Sequence, residues 1–150
     1  MTFVKKAAIA AIAAFALSAC QTMSDAGNTV TGWFSGGKTA HVNLTGSEEV
    51  PPVSTSATGK GSFTVAEDGT VKGSVTTTGL NGTMAHIHRG AKGQNGGVAI
   101  GLVKNGDTYS VPDGAKLNAA DMDAFKAGNL YVNVHTAANK GGEIRAQLQP

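Results

Sequence analysis

Cysteine is nearly absent from this chain of 150 residues, and long hydrophobic runs are absent as well. The one cysteine, Cys20, has no partner within the chain, so the fold must be stable without a disulfide. The apolar stretch 7–17 near the N-terminus is too short to predict a membrane span. The sequence also contains no nucleophile elbow, phosphate-binding loop or zinc-protease helix, so it does not predict hydrolase chemistry.

An excess of charge is missing once the N-terminal segment is set aside. The whole chain has 12 lysines and arginines against 10 acidic residues, and Lys5 and Lys6 account for the difference. The rest of the chain is therefore balanced, which removes any argument from composition for binding nucleic acid or an anionic membrane.

Residues 1–19 predict a signal peptide, because a charged start precedes the apolar stretch. Leu17-Ser18-Ala19-Cys20 resembles the lipobox of bacterial lipoproteins, which implies that Cys20 is lipidated and anchors the protein to a membrane. Gln21 after it favours the outer membrane, facing the periplasm or the cell surface. An ordinary signal peptide with an unrelated cysteine is the alternative. Residues 20–39 are small, polar and glycine-rich, which predicts a flexible tether.

Residues 40–150 predict one all-β domain. Short alternating runs separated by glycine and turn residues favour a Greek-key antiparallel β-sandwich of about seven or eight strands with one short helix. The strands are predicted at 41–45, 61–66, 70–76, 84–88, 98–103, 130–135 and 143–148. Asp68-Gly69 predicts a tight hairpin turn, and the helix is predicted to begin at the capping residue Asn118 and to end at Gly128. Met122 and Phe125 should pack the helix against the sheet.

Three of the four histidines fall in two of the predicted strands. His86 and His88 are two residues apart and therefore share one strand face. His135 lies on the polar face of the strand 130–135, so the three imidazoles converge if the two strands are neighbours. Imidazole nitrogens bind copper, zinc and nickel, and intrinsic affinity favours copper. The pattern therefore predicts a copper site formed by His86, His88 and His135.

Other residues extend this hypothesis. Met84 shares a face with His86, so its thioether is a candidate extra ligand for Cu(I), with packing beneath a loop as the alternative. Asn133 shares the face of His135 and is a candidate for orienting an imidazole. The fourth histidine, His41, is predicted to be a surface residue.

The remaining charged residues near the motifs are given ordinary roles. Arg145 is predicted to be a solvated strand residue, and Arg89, next to His88, argues against a bound cation. Glu49 shows no signal for acid-base chemistry. The glycine-rich segment 90–97 lacks the context of a nucleotide-binding loop, and it predicts a long turn that covers the histidines.

Four motifs, in this order, resemble the CHRD domain, a module named for its occurrence in chordin. They are Glu48-Glu49-Val50-Pro51-Pro52, Ala85-His86-Ile87-His88-Arg89-Gly90, Leu130-Tyr131-Val132-Asn133-Val134-His135-Thr136 and Gly141-Gly142-Glu143-Ile144-Arg145-Ala146-Gln147-Leu148. The resemblance covers roughly residues 40–149. It implies an all-β domain, found in bacteria mostly in small secreted or envelope proteins, and it does not supply a reaction.

The histidine pattern also resembles, more distantly, the Cu/Zn superoxide dismutase sandwich. In spacing and order His86, His88 and His135 are similar to three copper ligands of that fold. The chain has no histidine between His88 and His135, so the metal-bridging histidine and the zinc ligands of that enzyme have no counterparts. The resemblance therefore does not extend to dismutase activity.

These observations predict an envelope lipoprotein that binds copper for sequestration, transfer or tolerance. A copper redox enzyme is a variant of this hypothesis, although the sequence favours a non-enzymatic role. The expected partners are a copper ion, a membrane through the lipid on Cys20 and an envelope protein, but not nucleic acid. The alternative is a metal-free interaction module at the cell surface, in which the histidines merely cover a sheet.

Overall fold

The computed structural model describes residues 36–150, which form one antiparallel sheet and one α-helix. The predicted signal peptide, the predicted lipidation site Cys20 and most of the predicted tether lie outside the described residues. The strands are β1 (Lys38–Thr45), β2 (Thr58–Val65), β3 (Val71–Thr78), β4 (Gly82–Arg89), β5 (Val98–Gly101), β6 (Val103–Asn105), β7 (Thr108–Ser110), β8 (Leu130–Thr136) and β9 (Ile144–Leu148). The helix α1 (Ala119–Lys126) lies between β7 and β8, and a 3-10 turn (Gly46–Glu48) follows β1. Within residues 36–150 no helix is long and apolar enough to cross a membrane.

The sheet curls until its two ends meet. Its strand order is β5-β4-β8-β9-β1-β2-β3-β7-β6, with every neighbouring pair antiparallel. β5 and β6 stand at opposite ends of this order, yet only Leu102 separates them in the chain. The Leu102 backbone N–H donates to the Ala85 carbonyl of β4 at 2.9 Å. One segment therefore closes the sheet around a single apolar core.

The all-β antiparallel class with one short helix is confirmed. There are nine strands, because the predicted strand 98–103 is divided at Leu102 and continues to Asn105. β7 was not predicted, since three residues are too few to display the alternation that identifies a strand. The other strands agree with their predicted positions to within a few residues.

The predicted helix signals are confirmed. The Asn118 side chain accepts a hydrogen bond from the Asp121 backbone N–H at 2.9 Å and so caps the helix. Gly128 ends it with a positive φ of 71°, which costs a glycine little. Phe125 is buried and Met122 packs against the core, as expected.

β8 is buried on both of its faces. One face, formed by Leu130, Val132 and Val134, packs in the core. The opposite face carries Tyr131, Asn133 and His135, which are also buried. Two loops, 90–97 and 137–142, cover this second face through hydrogen bonds to its side chains. The fold therefore creates a polar layer between the sheet and the loops, and this layer holds the candidate site.

Candidate metal centre

β4 and β8 are neighbours in the sheet, as the copper hypothesis requires. His86 pairs with Asn133, and His88 pairs with Tyr131, so the histidines of both strands lie on the same sheet face. One ligand atom from each of His86, His88 and His135 lies within 4.8 Å of the other two. Within residues 36–150 this histidine cluster is the only group of three or more His, Cys, Asp or Glu side chains close enough to share an ion.

Backbone carbonyls decide which nitrogen two of the rings offer. His88 Nδ1 lies 3.0 Å from the Gly96 carbonyl oxygen, and His135 Nδ1 lies 2.9 Å from that of Lys140. A carbonyl oxygen only accepts, so each Nδ1 carries the proton and each neutral ring keeps its lone pair on Nε2. His135 Nε2 therefore accepts a hydrogen bond from His86 Nδ1 at 2.9 Å, while His88 Nε2 is buried without a hydrogen-bond partner.

The surroundings favour the neutral forms of His86 and His88. His88 and His135 are buried, and His86 is partly exposed. Burial lowers the pKa of His86 below its ordinary 6.5, and the proximity of His135 and His88 lowers it further. Burial also lowers the pKa of His88, although its hydrogen bond to the Gly96 carbonyl opposes this effect. At neutral pH these two imidazoles therefore offer lone pairs without competition from protons.

The spacing of the nitrogens suits a shared metal ion. Imidazole nitrogens bind first-row metals at about 2.0–2.1 Å, so two nitrogens on one ion lie about 3 Å apart. His86 Nδ1 and His135 Nε2 are held 2.9 Å apart by their hydrogen bond, which is close to this separation, and a metal ion bound by both would replace the proton between them. Separations within the cluster reach 4.8 Å, so binding by all three rings would require modest side-chain rotations.

The structure gives the exposure of Met84 and His41, which the sequence predictions for these two residues concern. Met84 is 50% exposed and pairs with His135 across the strands, so the alternative of packing beneath a loop is wrong. Its role as a ligand stays a prediction. His41 lies exposed on β1, opposite Ser62, and its prediction as a surface residue is confirmed.

Arg145 is not the solvated residue that its strand position suggested, because it is only 1% exposed. Its guanidinium carbon lies 3.4 Å from the centre of the Tyr131 ring, and that ring stacks on His88 at 4.9 Å with a 6° interplanar angle. The guanidinium also donates to the Gln94 carbonyl at 2.9 Å and to Asn95 Oδ1 at 3.1 Å. Alternation along β9 gave no sign of this burial, since it depends on a loop that returns over the strand.

The glycine-rich loop 90–97 lies on the histidine cluster, as expected. Its Gly96 carbonyl accepts from His88, and its Gly96 N–H donates to the Tyr131 hydroxyl at 3.3 Å. Arg145 binds the loop from below. The loop therefore orients His88 and shields it from solvent.

Arg89 does not oppose a bound cation at His88. Its Nε and Nη2 donate to the buried Asp121 carboxylate at 2.5 and 2.7 Å, so its charge is neutralised there. Strand alternation places Arg89 on the face opposite to His88, which explains this separation.

Glu49 is a buried acid that the sequence did not single out. It is 4% exposed, and its Oε1 has no hydrogen-bond partner. Burial raises its pKa, while the Arg145 charge and a hydrogen bond with Asn133 oppose that effect. Asn133 also donates to the Gly141 carbonyl at 3.2 Å. The Lys140 carbonyl of the same loop orients His135. Only the return of loop 137–142 over the sheet reveals this network.

Comparison with known proteins gives one match. The family model described as the CHRD domain matches residues 40–148, which is more than half of the chain. No curated protein and no solved structure matches the chain. The four motifs that carry the family resemblance meet at the polar layer, through Glu49, His88, His135 and Arg145.

Proposed function

The chain belongs to the CHRD domain family, and from its histidine cluster we propose that it is an envelope lipoprotein that binds copper through His86, His88 and His135. We assign the lipid anchor to Cys20, and Gln21 after it favours the outer membrane. Copper is the cargo of the site, for sequestration, transfer or tolerance.

One observation supports this proposal above the others. The Gly96 and Lys140 carbonyls bind the Nδ1 protons of His88 and His135, which directs both Nε2 lone pairs into the cluster. The His88 Nε2 has no hydrogen-bond partner there, and the His135 Nε2 accepts a hydrogen bond from His86, another member of the cluster. Orientation of a histidine ligand by a carbonyl on its other nitrogen is a common arrangement around protein-bound metals. A sheet covered by histidines for solubility alone would not need it.

The chemistry of the donors favours copper. Three imidazoles form the cluster, with no Cys, Asp or Glu among its members. At a nitrogen site the intrinsic affinity order places Cu(II) above zinc and nickel. The half-exposed Met84 adds a soft thioether next to the cluster, which suits Cu(I). His86 is partly exposed, so an ion bound there remains accessible to a donor or acceptor, as sequestration or transfer requires.

A copper titration of the purified protein tests the proposal. Cu(II) binding is followed by electron paramagnetic resonance and Cu(I) binding by competition with a chromophoric chelator. We expect one ion per chain, with nitrogen hyperfine structure for Cu(II). The His86→Ala and His135→Ala variants should each lose affinity by at least about 100-fold, since each lacks a direct ligand. His41→Ala is the matched control, because His41 is an exposed histidine on β1, and it should bind as the wild type does.

Weak binding of equal strength in the wild type and in both cluster variants would contradict the proposal. The metal-free interaction module would then be the better account of this domain.

A further inference from the structure

Arg145 carries a buried positive charge without an acidic partner at hydrogen-bond distance. Its guanidinium donates only to neutral oxygens: the carbonyls of Ala91 and Gln94 and the side-chain amides of Asn95 and Gln147. None of the ion pairs formed within residues 36–150 includes Arg145. Burial of an unpaired charge is costly, so most buried arginines are paired with a carboxylate. Because no carboxylate neutralises it, the charge of Arg145 interacts electrostatically with other groups buried nearby.

The histidine cluster lies near it. Tyr131 contacts both the Arg145 guanidinium and the His88 imidazole, at 3.4 and 4.9 Å between the respective centres. Only the Tyr131 ring separates the Arg145 charge from His88. A fixed positive charge at this short range, in a buried setting, disfavours positive charge on a metal bound to His88.

Among residues 36–150, the acidic group that faces Arg145 forms no ion pair with it. Glu49 lies close enough for its charge to interact with that of Arg145, but burial raises the pKa of Glu49 and so disfavours its ionised form. The ion pair on the covering loop, between Lys92 and Glu48 at 3.2 Å, is exposed to solvent. Solvent screens the charges of that pair, whereas Arg145 is buried and its charge is screened less.

We propose that Arg145 makes the histidine cluster selective for Cu(I) over Cu(II). This inference rests on the proposed copper binding and states which ion the site takes. Repulsion by a fixed positive charge is greater for a doubly charged ion than for a singly charged one. The three imidazoles are neutral ligands, so they supply no negative charge that would offset this difference.

The test compares the dissociation constants of Cu(I) and Cu(II), each measured by chelator competition, in the wild type and three variants. Arg145→Gln removes the charge and should lower the preference for Cu(I) at least tenfold, equivalent to a fall of about 59 mV in the reduction potential of the bound copper. Asn95→Asp places a carboxylate against the guanidinium, where Asn95 Oδ1 now accepts at 3.1 Å, and should shift the preference in the same direction. Lys92→Gln removes an exposed charge from the same loop and should leave the preference unchanged.

Equal changes in both affinities would overturn the inference, because they would show that Arg145 only holds the loop in place. If Arg145→Gln does not fold, Asn95→Asp decides the question, since Asn95 is exposed and its replacement retains the side-chain shape. This replacement gives up one hydrogen bond, from Asn95 Nδ2 to the Val50 carbonyl. An unchanged preference in Asn95→Asp would likewise overturn it. Failure of the proposed function looks different: the wild type would bind neither ion more tightly than the His86→Ala variant.

Discussion

At the scale of single residues, the cluster depends on backbone atoms as much as on its histidines. The Lys140 carbonyl orients His135, and the loop that presents it is itself held by Glu143. The Glu143 carboxylate accepts from Thr136 Oγ1 at 2.7 Å and from Asn139 Nδ2 at 3.1 Å. A residue that touches no metal ligand can therefore change the affinity of the site through the loop.

Gly142 is such a residue. Its φ is +131°, and a Cβ at this position would overlap Glu49 Oε1 and Asn133 Nδ2. We expect Gly142→Ala to reduce the free energy of unfolding by roughly 1–3 kcal/mol from backbone strain, with a similar contribution from overpacking. Displacement of the loop should also weaken copper binding. Urea unfolding and chelator competition measure the two effects.

The adjacent Gly141 provides the control. A Cβ there would meet no atom within 4 Å, so Gly141→Ala should change stability by no more than about 0.5 kcal/mol. Similar losses in the two variants would show that the close approach at Gly142 is not what limits substitution.

At the scale of elements, α1 is tied to the sheet by one buried carboxylate. Asp121 accepts two hydrogen bonds from Arg89 of β4, the residue that follows His88. Arg89 Nη1 also donates to the Val98 carbonyl at the start of β5, at 2.6 Å. Arg89 therefore links three elements: α1, β4 and β5. Its position on the opposite face separates it from the histidine cluster.

Removal of this contact should therefore lower the free energy of unfolding without changing the affinity for copper. We expect Asp121→Ala to lower the free energy of unfolding by about 1–3 kcal/mol, since it leaves Arg89 without its charged partner. Asp123→Ala is the control on the same helix, because its 3.7 Å pair with Lys126 is exposed and contributes little. Urea unfolding distinguishes the two. A large loss of Cu(I) affinity in folded Asp121→Ala would contradict the separation of the two faces.

At the scale of the whole molecule, burial of neutral histidines makes the stability of the metal-free protein depend on pH. The pKa values of His86 and His88 are lowered from 6.5 in the folded state, chiefly by burial. Below pH 6.5 the unfolded chain therefore takes up protons that the folded chain does not. Stability should be constant with respect to these groups above that pH and should fall below it, by at most about 1.4 kcal/mol per pH unit for each histidine.

Urea unfolding between pH 8 and 5 measures this slope, and the His86→Gln variant should reduce it. The difference between the two proteins is the informative quantity, because burial raises the pKa of Glu49 and gives that group an effect of opposite sign. Hydrogen bonds from Thr136 and other groups lower the pKa of Glu143, so its stabilisation is lost only below its ordinary 4.5, outside this range. An identical slope in both proteins would contradict the expected role of His86.

Local patterns were enough to predict much of the fold. The Asp68-Gly69 turn, with Gly69 at a φ of 83°, and the Asn118 cap depend on residues adjacent in the chain. The alternation of β4 placed His86 and His88 on one face for the same reason. β7 was not predicted, because three residues are too few to show an alternating pattern. The closure of the sheet at Leu102 was not predicted either, because it depends on a contact with β4, which is distant in the chain.

The sequence by itself determined which side chains each strand presents together, because the two-residue period of a strand is a property of the local backbone. The tertiary structure alone decided that β4 and β8 are neighbours, and so brought His135 to the other two histidines. It also decided that Arg145 and Glu49 are buried and that two loop carbonyls orient the rings. These features come from segments far apart in the chain, and no local pattern encodes which loop returns over which strand face.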